Sequence, residues 1–268
     1  MCEGFSRNRS LTAKSTWPVP EHLTGELKVR SVNTDTKNKL NISVVIPVYN
    51  EGKNIRPLAN EVFDALAGRI HYELIFVDDG SIDDTPEEIE RMTNQNSAIV
   101  LCRHSKNRGQ SAAVRTGVEA SRADVIAVLD GDGQNDPKDI LNLYGQLVAV
   151  PSLSMVIGER RDRKDSWLRR VSSRVANSIR SRLLGDGISD TGCGLKVFYR
   201  AQYLSLPTFD HMHRFLPALV QRQGGRVYAL PVNHRPRLHG LSKYGVGNRL
   251  WVGIMDLLGV RWLQKRRL

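Results

Sequence analysis

The chain is poor in cysteine. Its three, Cys2, Cys102 and Cys193, are odd in number and scattered. They build neither a disulfide framework nor a zinc spacing, and a reducing compartment fits best. Long apolar runs are also missing: nothing reaches the roughly 18 consecutive apolar residues of a membrane span. The first twenty residues are polar and carry no apolar h-region, so no secretory signal peptide is expected. Two nucleotide fingerprints are absent from the first strand–helix turn. It reads Tyr49-Asn50-Glu51-Gly52, neither the Gly-x-Gly-x-x-Gly of a dinucleotide fold nor a Walker A loop. Phosphates would then have to be held by a metal and by basic side chains. No recognised DNA- or RNA-binding motif is present, so a nucleic-acid partner is not expected.

What remains is ample for a folded domain. At 268 residues and 40% hydrophobic, the chain can bury a full core. The formal charge is +11 and unevenly spread. Residues 159–182 hold nine Lys/Arg against three Asp/Glu, and residues 235–268 hold eight against one. Such patches suit nucleic acid, anionic lipid or phosphate groups, and charge alone does not separate them.

Along the chain, strands alternate with helices. Residues 1 to about 40, rich in Ser, Thr, Asn and Lys without apolar periodicity, read as a mobile tail. Ile42 to Val48 is a continuous β-rich run, expected to be a buried parallel strand, and Ile55 to Leu66 has helical spacing. Glu73 to Val77, Ala98 to Cys102, Asp124 to Leu129 and Leu153 to Ile157 read as further strands. Helices are expected from Asp83-Asp84-Thr85-Pro86, over Gln110 to Ala120, and from Pro137. Such alternation predicts an open, largely parallel α/β sheet. Ligands of these sheets bind beyond the carboxyl ends of the strands. Tyr49/Glu51, Asp79 and Asp130/Asp132 all lie at such ends.

The stretch Val128-Leu129-Asp130-Gly131-Asp132-Gly133-Gln134-Asn135-Asp136-Pro137 carries the sharpest chemical signal. Alternate residues leaving a strand point the same way, so Asp130, Asp132 and Gln134 can converge. Converging hard oxygen ligands suit Mg²⁺ or Mn²⁺, completed by substrate phosphates. Gly131 and Gly133 would let a bulky ligand approach the backbone. An EF-hand needs Gly at position six and Glu at twelve, but Asn135 and Leu141 stand there. A general acid/base pair would need a hydrophobic pocket that raises one pKa, which this stretch lacks. A solvated Asp/Gly turn is the bland alternative. It weakens because three polar clusters meet on one sheet edge.

The second half is less legible. Residues 160–184 form a basic amphipathic segment: either a surface helix or one lying in a membrane interface. Asp190-Thr191-Gly192-Cys193-Gly194-Leu195-Lys196 is a turn-rich loop before a short strand, and Asp190 is a candidate base for a hydroxyl acceptor. His211 to Gln223 reads as a helix. Its His211-x-His213 pair lacks a nearby third ligand, which favours capping or surface roles. Arg226 to Val232 is a strand, leading to the basic loop Arg235 to Tyr244. Such a loop suits a diphosphate. Leu250 to Leu263 is apolar almost all round, with two tryptophans and a basic end. It either completes the core or lies in a membrane interface.

Taken together, the ordered motifs resemble the GT-A fold inverting glycosyltransferases of family two. Within it they are similar to polyprenyl-phosphate glycosyltransferases such as dolichyl-phosphate mannose synthase. The carriers are Val45-Ile46-Pro47-Val48-Tyr49-Asn50-Glu51, Val77-Asp78-Asp79-Gly80-Ser81, Asn107 to Ala113, the aspartate stretch, and Arg237-Leu-His-Gly240-Leu-Ser242-Lys243. The resemblance implies a nucleotide site lined by Pro47, Tyr49 and Glu51, with Val77 and Asp79 at its base and Gly131 beside it. It implies a metal triad of Asp130, Asp132 and Gln134, a donor-phosphate grip by Arg237 and Lys243, and Arg160 at the junction of donor and acceptor. Arg160, Arg169 and Ser173 would hold the acceptor phosphate. Asp132, Arg160 and Arg237 would then be the catalytic core. The chain departs from the family's usual residues at Gly131, Gly133 and Leu241, and in ending without transmembrane helices.

The expected organisation is a tail over 1–40, a GT-A catalytic domain over 41–245 and an apolar interfacial helix over 246–268. The expected activity is transfer of a sugar, with inversion, from a UDP- or GDP-sugar to undecaprenyl or dolichyl phosphate. The protein would work peripherally on the cytoplasmic face of a membrane, and a separate membrane-anchoring subunit is compatible with this. A phosphate monoester, with a second pKa of about 6, is already ionised and needs no dedicated base.

Overall fold

A computed structural model describes residues 39–160, 180–237 and 247–266. The tail, most of the basic 160–184 segment and the 238–246 loop lie outside them, and with them Arg169, Ser173 and Lys243. In chain order the elements are β1 (Ile42–Val48), α1 (Gly52–Leu66), β2 (Tyr72–Asp78), α2 (Thr85–Thr93), β3 (Ile99–Arg103) and α3 (Gln110–Ala120). Then follow β4 (Val125–Val128), α4 (Asp139–Ala149), β5 (Leu153–Arg160), β6 (Lys196–Tyr199) and α5 (Arg200–Leu204). A 3₁₀ turn (Met212–Arg214), α6 (Leu216–Arg222), β7 (Arg226–Val232) and α7 (Gly247–Lys265) complete the set.

The strands form one sheet in the order β3-β2-β1-β4-β6-β5-β7. Every neighbouring pair is parallel except those of β6, which runs antiparallel to both β4 and β5. Both faces are covered, which is why the strands read as unbroken apolar runs. The period of two sorts β1 cleanly. Ile42, Val44, Ile46 and Val48 join the layer with α1 and α4, while Val45 joins Ile75, Val77 and Val128 under α3. α3 lies so close that a Cβ on Gly117 would stand 2.4 Å from Val45 Cγ1.

The predicted 211–223 helix is divided. His211 takes φ 61° and Phe215 φ −113°, both outside helical values, so only a 3₁₀ turn forms before α6. Pro217 then marks the first turn of α6. Among the described residues no helix is long and apolar enough to cross a membrane.

Candidate active site

Strand register creates the site. Val48 pairs with Asp78 and Val45 with Val128, so β1, β2 and β4 end at one edge. Tyr49, Asp79 and Asp130 leave the sheet there. Because β6 runs the other way, its first residue arrives at this same edge. Lys196 pairs with Val128 on one side and Ile157 on the other. The loop 190–195 is thereby delivered onto the carboxyl ends of β4 and β5.

Asp130 is the pivot. Its Oδ1 accepts a hydrogen bond from Gln110 Nε2 at 2.9 Å, at the start of α3. A Cβ on Gly194 would fall 2.0 Å from Asp130 Oδ2 and 2.8 Å from Asn135 Oδ1, so the 190–195 loop rests directly on the carboxylate. Gly131 answers a packing demand instead: a Cβ there would meet Val48 Cγ1 at 2.6 Å. Gly133 has φ +72°, the left-handed region that favours glycine.

The two aspartates fit a divalent cation. Burial first, and Asp132 second, push the Asp130 carboxyl above its ordinary range, while Lys196, Arg160 and the Gln110 bond pull it back. A cation between the carboxylates relieves both penalties. Asp132 Oδ1 accepts the Gln134 backbone N–H at 3.1 Å. Gln134 turns its side-chain amide toward Arg235, with Nε2 3.4 Å from that carbonyl oxygen. Among the described residues no group of three His, Cys, Asp or Glu gathers for a metal. Two carboxylates completed by substrate phosphates are the arrangement typical of Mg²⁺.

An arm after β7 brings Arg237 toward Asp132. Asn233 N donates to Asp139 Oδ2 at 2.8 Å, and Arg235 N to Gln134 O at 2.8 Å. The Arg235 guanidinium reaches Glu61 Oε2 at 2.6 Å and Asn135 O at 3.0 Å. With the arm so fixed, Arg237 Nη2 lies 2.6 Å from Glu51 Oε1 and 3.8 Å from Asp132 Oδ2. Glu51 also accepts from Asn54 Nδ2 at 2.6 Å.

Across the site, Arg160 grips Asp190 with two side-chain bonds, Nε to Oδ2 at 2.7 Å and Nη2 to Oδ1 at 2.8 Å. Both partners are largely buried, a geometry that fixes the guanidinium plane. Lys196 is buried between this pair and Asp130. Its ammonium donates to the Cys193 carbonyl, and burial lowers its pKa against the pull of Cys193, Asp130 and Asp190.

Of the residues expected in the nucleotide pocket, Pro47 and Tyr49 are half-buried at the end of β1. Val77 is wholly buried in the layer under α3. Asp79 is buried too, and its oxygens shape the next loop. Oδ1 accepts Arg108 N at 2.9 Å and meets His104 Nδ1 at 2.7 Å, and Oδ2 accepts Gly109 N at 2.8 Å. That loop sets the start of α3, and so the position of Gln110.

Sequence reasoning gave no role to Gln110, Ser111 or Lys196, and expected His213 in a capping or surface role. His213 Nδ1 lies 2.8 Å from Ser111 Oγ, and its backbone N–H donates to the same oxygen at 3.3 Å. Burial, with Lys196, Arg214 and His211 nearby, pushes its pKa down to about 3. It is a half-buried, neutral imidazole bonded to Ser111 in α3, not a free surface or capping residue. One signal was available: a lysine opening the apolar strand Lys196-Val-Phe-Tyr199 must be buried beside a carboxylate.

Comparison with known proteins agrees with this geometry. Residues 43–204 match Glycosyl transferase family 2. The dodecaprenyl-phosphate galacturonate synthase of Rhizobium johnstonii is 36% identical over 242 residues, 88% of this chain and 71% of that protein. The undecaprenyl-phosphate 4-deoxy-4-formamido-L-arabinose transferase of Edwardsiella ictaluri is 35% identical over 216 residues, 80% of this chain and 66% of its own length. The chain thus spans roughly two thirds of the length of these relatives. Among solved structures, glucosyl-3-phosphoglycerate synthase of Mycobacterium tuberculosis in complex with Mg²⁺ and uridine diphosphate superposes with a TM-score of 0.64 at 17% identity. It covers 84% of this chain and 79% of that one. The likeness lies in the fold, the GT-A arrangement of a mostly parallel sheet between helices. By its sequence match and its fold, the chain belongs to glycosyl transferase family 2.

Proposed function

We propose that this protein transfers a sugar from a nucleotide-sugar donor to a polyprenyl phosphate, with inversion at the anomeric carbon. The observation that carries the proposal is the pairing of two charged subsites across one sheet edge. On one side Asp130 and Asp132 leave β4 with Arg237 3.8 Å from Asp132; on the other, Arg160 is held by Asp190. Both relatives described above are named for polyprenyl-phosphate acceptors.

The roles follow from charge. Asp130 and Asp132 would hold Mg²⁺ or Mn²⁺, which neutralises charge developing on the departing diphosphate. Arg237 adds a second cation at the leaving group. Pro47, Tyr49 and Glu51 border the nucleotide. Gln110 holds Asp130 in place from α3, and the 190–195 loop closes over it. Arg160, with Arg169 and Ser173, receives the acceptor phosphate. Asp190 keeps both oxygens on Arg160, which supports a positioning role over that of a base for a hydroxyl acceptor. An ionised phosphate needs no such base.

The test is nucleoside diphosphate release from a panel of UDP- and GDP-sugars with Mg²⁺ or Mn²⁺, with and without polyprenyl phosphate. Release that needs both metal and lipid phosphate is expected. Release indifferent to the lipid assigns a different acceptor and overturns the polyprenyl-phosphate reading. Retention of configuration in the product overturns the inverting one.

A further inference from the structure

The turn before α6 carries a side chain to which the proposed reaction gives no role. This turn packs against the start of α3: a Cβ on Gly109 would lie 3.4 Å from Asp210 Oδ1, and His213 meets Ser111 twice. The left-handed backbone at His211 sends two nearby imidazoles to different partners. His211 Nδ1 lies 3.1 Å from Asp256 Oδ2 on α7, whereas His213 Nδ1 lies 2.8 Å from Ser111 Oγ.

The bonds at Ser111 fix the tautomer of His213. Ser111 is buried, and its Oγ accepts the His213 backbone N–H at 3.3 Å. Among the described residues the hydroxyl proton then has one acceptor, His213 Nδ1. The ring proton therefore sits on Nε2. Among the described residues Nε2 has no hydrogen-bond partner, so a donor of fixed position is left for a ligand.

Two neighbours set its place. Gln110, next to Ser111 in α3, donates to Asp130 Oδ1. Lys196, whose charge is felt by Asp130, Asp190 and Arg160, is felt by His213 as well. In the proposed reaction the departing diphosphate lies with Asp130, Asp132 and Arg237, and the acceptor phosphate with Arg160. The sugar passes between them, and Lys196 and the start of α3 border that space.

We propose that His213 binds the donor sugar, its Nε2–H donating to a ring hydroxyl, and so sets which sugars the site accepts. This rests on the reaction proposed above. A hydroxyl is the better match than a phosphate, because Arg160, Arg237 and a metal already answer the phosphates. Burial, with Lys196, Arg214 and His211 nearby, keeps the imidazole uncharged. A neutral donor selects an oxygen by its position, and a sugar lacking that hydroxyl leaves it unpaired. A general-base role is excluded by the tautomer: Nε2 carries the proton and Nδ1 is taken by Ser111.

NMR of the whole chain with ¹⁵N-labelled histidine and Mg²⁺ tests this without any transfer step, and His213→Gln assigns the signal. The free protein should show the neutral Nε2–H tautomer. UDP-glucose, UDP-galacturonate and GDP-mannose are each compared with the matching nucleoside diphosphate. At least one nucleotide-sugar should shift the His213 Nε2–H resonance where its nucleoside diphosphate does not. An Nδ1–H tautomer, or no such shift with any of the three, overturns the inference, whether or not nucleoside diphosphate is released. A shift without transfer to polyprenyl phosphate upholds the sugar contact and removes the reaction alone. With the responding donor, His213→Phe should raise KM about tenfold with kcat little changed, the loss of one neutral hydrogen bond. His213→Gln keeps an N–H and should recover most of that loss. A parental KM in His213→Phe at a parental melting temperature leaves the ring a packing role only and overturns the inference.

Discussion

Gly194→Ala is a one-carbon change that probes the architecture of the site. The added Cβ would stand 2.0 Å from Asp130 Oδ2 and 2.3 Å from its Cγ, well inside van der Waals contact. Either the carboxylate swings away, losing the 2.9 Å bond from Gln110, or the 190–195 loop lifts and carries Lys196 and Asp190 with it. Both move groups of the proposed site by more than about 1 Å, a displacement that costs on the order of a hundredfold in rate. At about 1.4 kcal/mol per decade this is about 3 kcal/mol of lost transition-state stabilisation. The assay is kcat/KM for metal-dependent nucleoside diphosphate release, with a thermal melt alongside. Gly145→Ala is the control: nothing lies within 4 Å of its Cβ in the middle of α4. That variant should melt higher, by about 0.5–1 kcal/mol of stability, with unchanged turnover. A Gly194→Ala enzyme with parental kcat/KM would refute the claim that this loop bears on Asp130.

Three further predictions concern single side chains. Arg237→Ala should lower kcat/KM for the donor by about two orders of magnitude, as removal of one preorganised charge donor does. Normal donor kinetics would remove its phosphate grip. His213 should remain neutral down to about pH 4 in an NMR titration, because its pKa is pushed to about 3; a midpoint near the ordinary 6.5 would contradict its enclosure. Glu73 supplies an acid dependence of stability. Burial would raise its pKa, but the Ser43 hydroxyl and the Arg122 backbone and guanidinium groups outweigh that and lower it below 4.5. Its stabilisation is complete above 4.5 and disappears as pH falls through the depressed value. Melting temperature against pH should therefore flatten in Glu73→Gln, and an unchanged slope would discount the network.

The parallel half of the fold was legible because continuous apolar runs alternate there with stretches of helical spacing. β1, α3 and β7 occur over the expected residues. The direction of β6 was not, since residue alternation carries no arrow, and that direction is what brings Lys196 and Asp190 to the edge. The broken 211–223 helix escaped notice for a related reason. A positive φ at a histidine leaves no mark in composition, yet it orients His211 toward α7 and His213 toward Ser111. Asp130 and Asp132 could be read from spacing. The partners that hold Asp130, Gln110 and the Gly194 backbone, lie 20 and 64 positions away and appear only once the chain is folded.

The central claim is settled most directly by following the sugar itself. Radiolabelled sugar is supplied as a nucleotide-sugar with undecaprenyl phosphate, and the label is tracked into organic solvent, with Asp132→Ala and EDTA as controls. The account predicts that label enters the lipid phase only with metal, lipid phosphate and Asp132 all present. Label that stays in water while nucleoside diphosphate is released would contradict it.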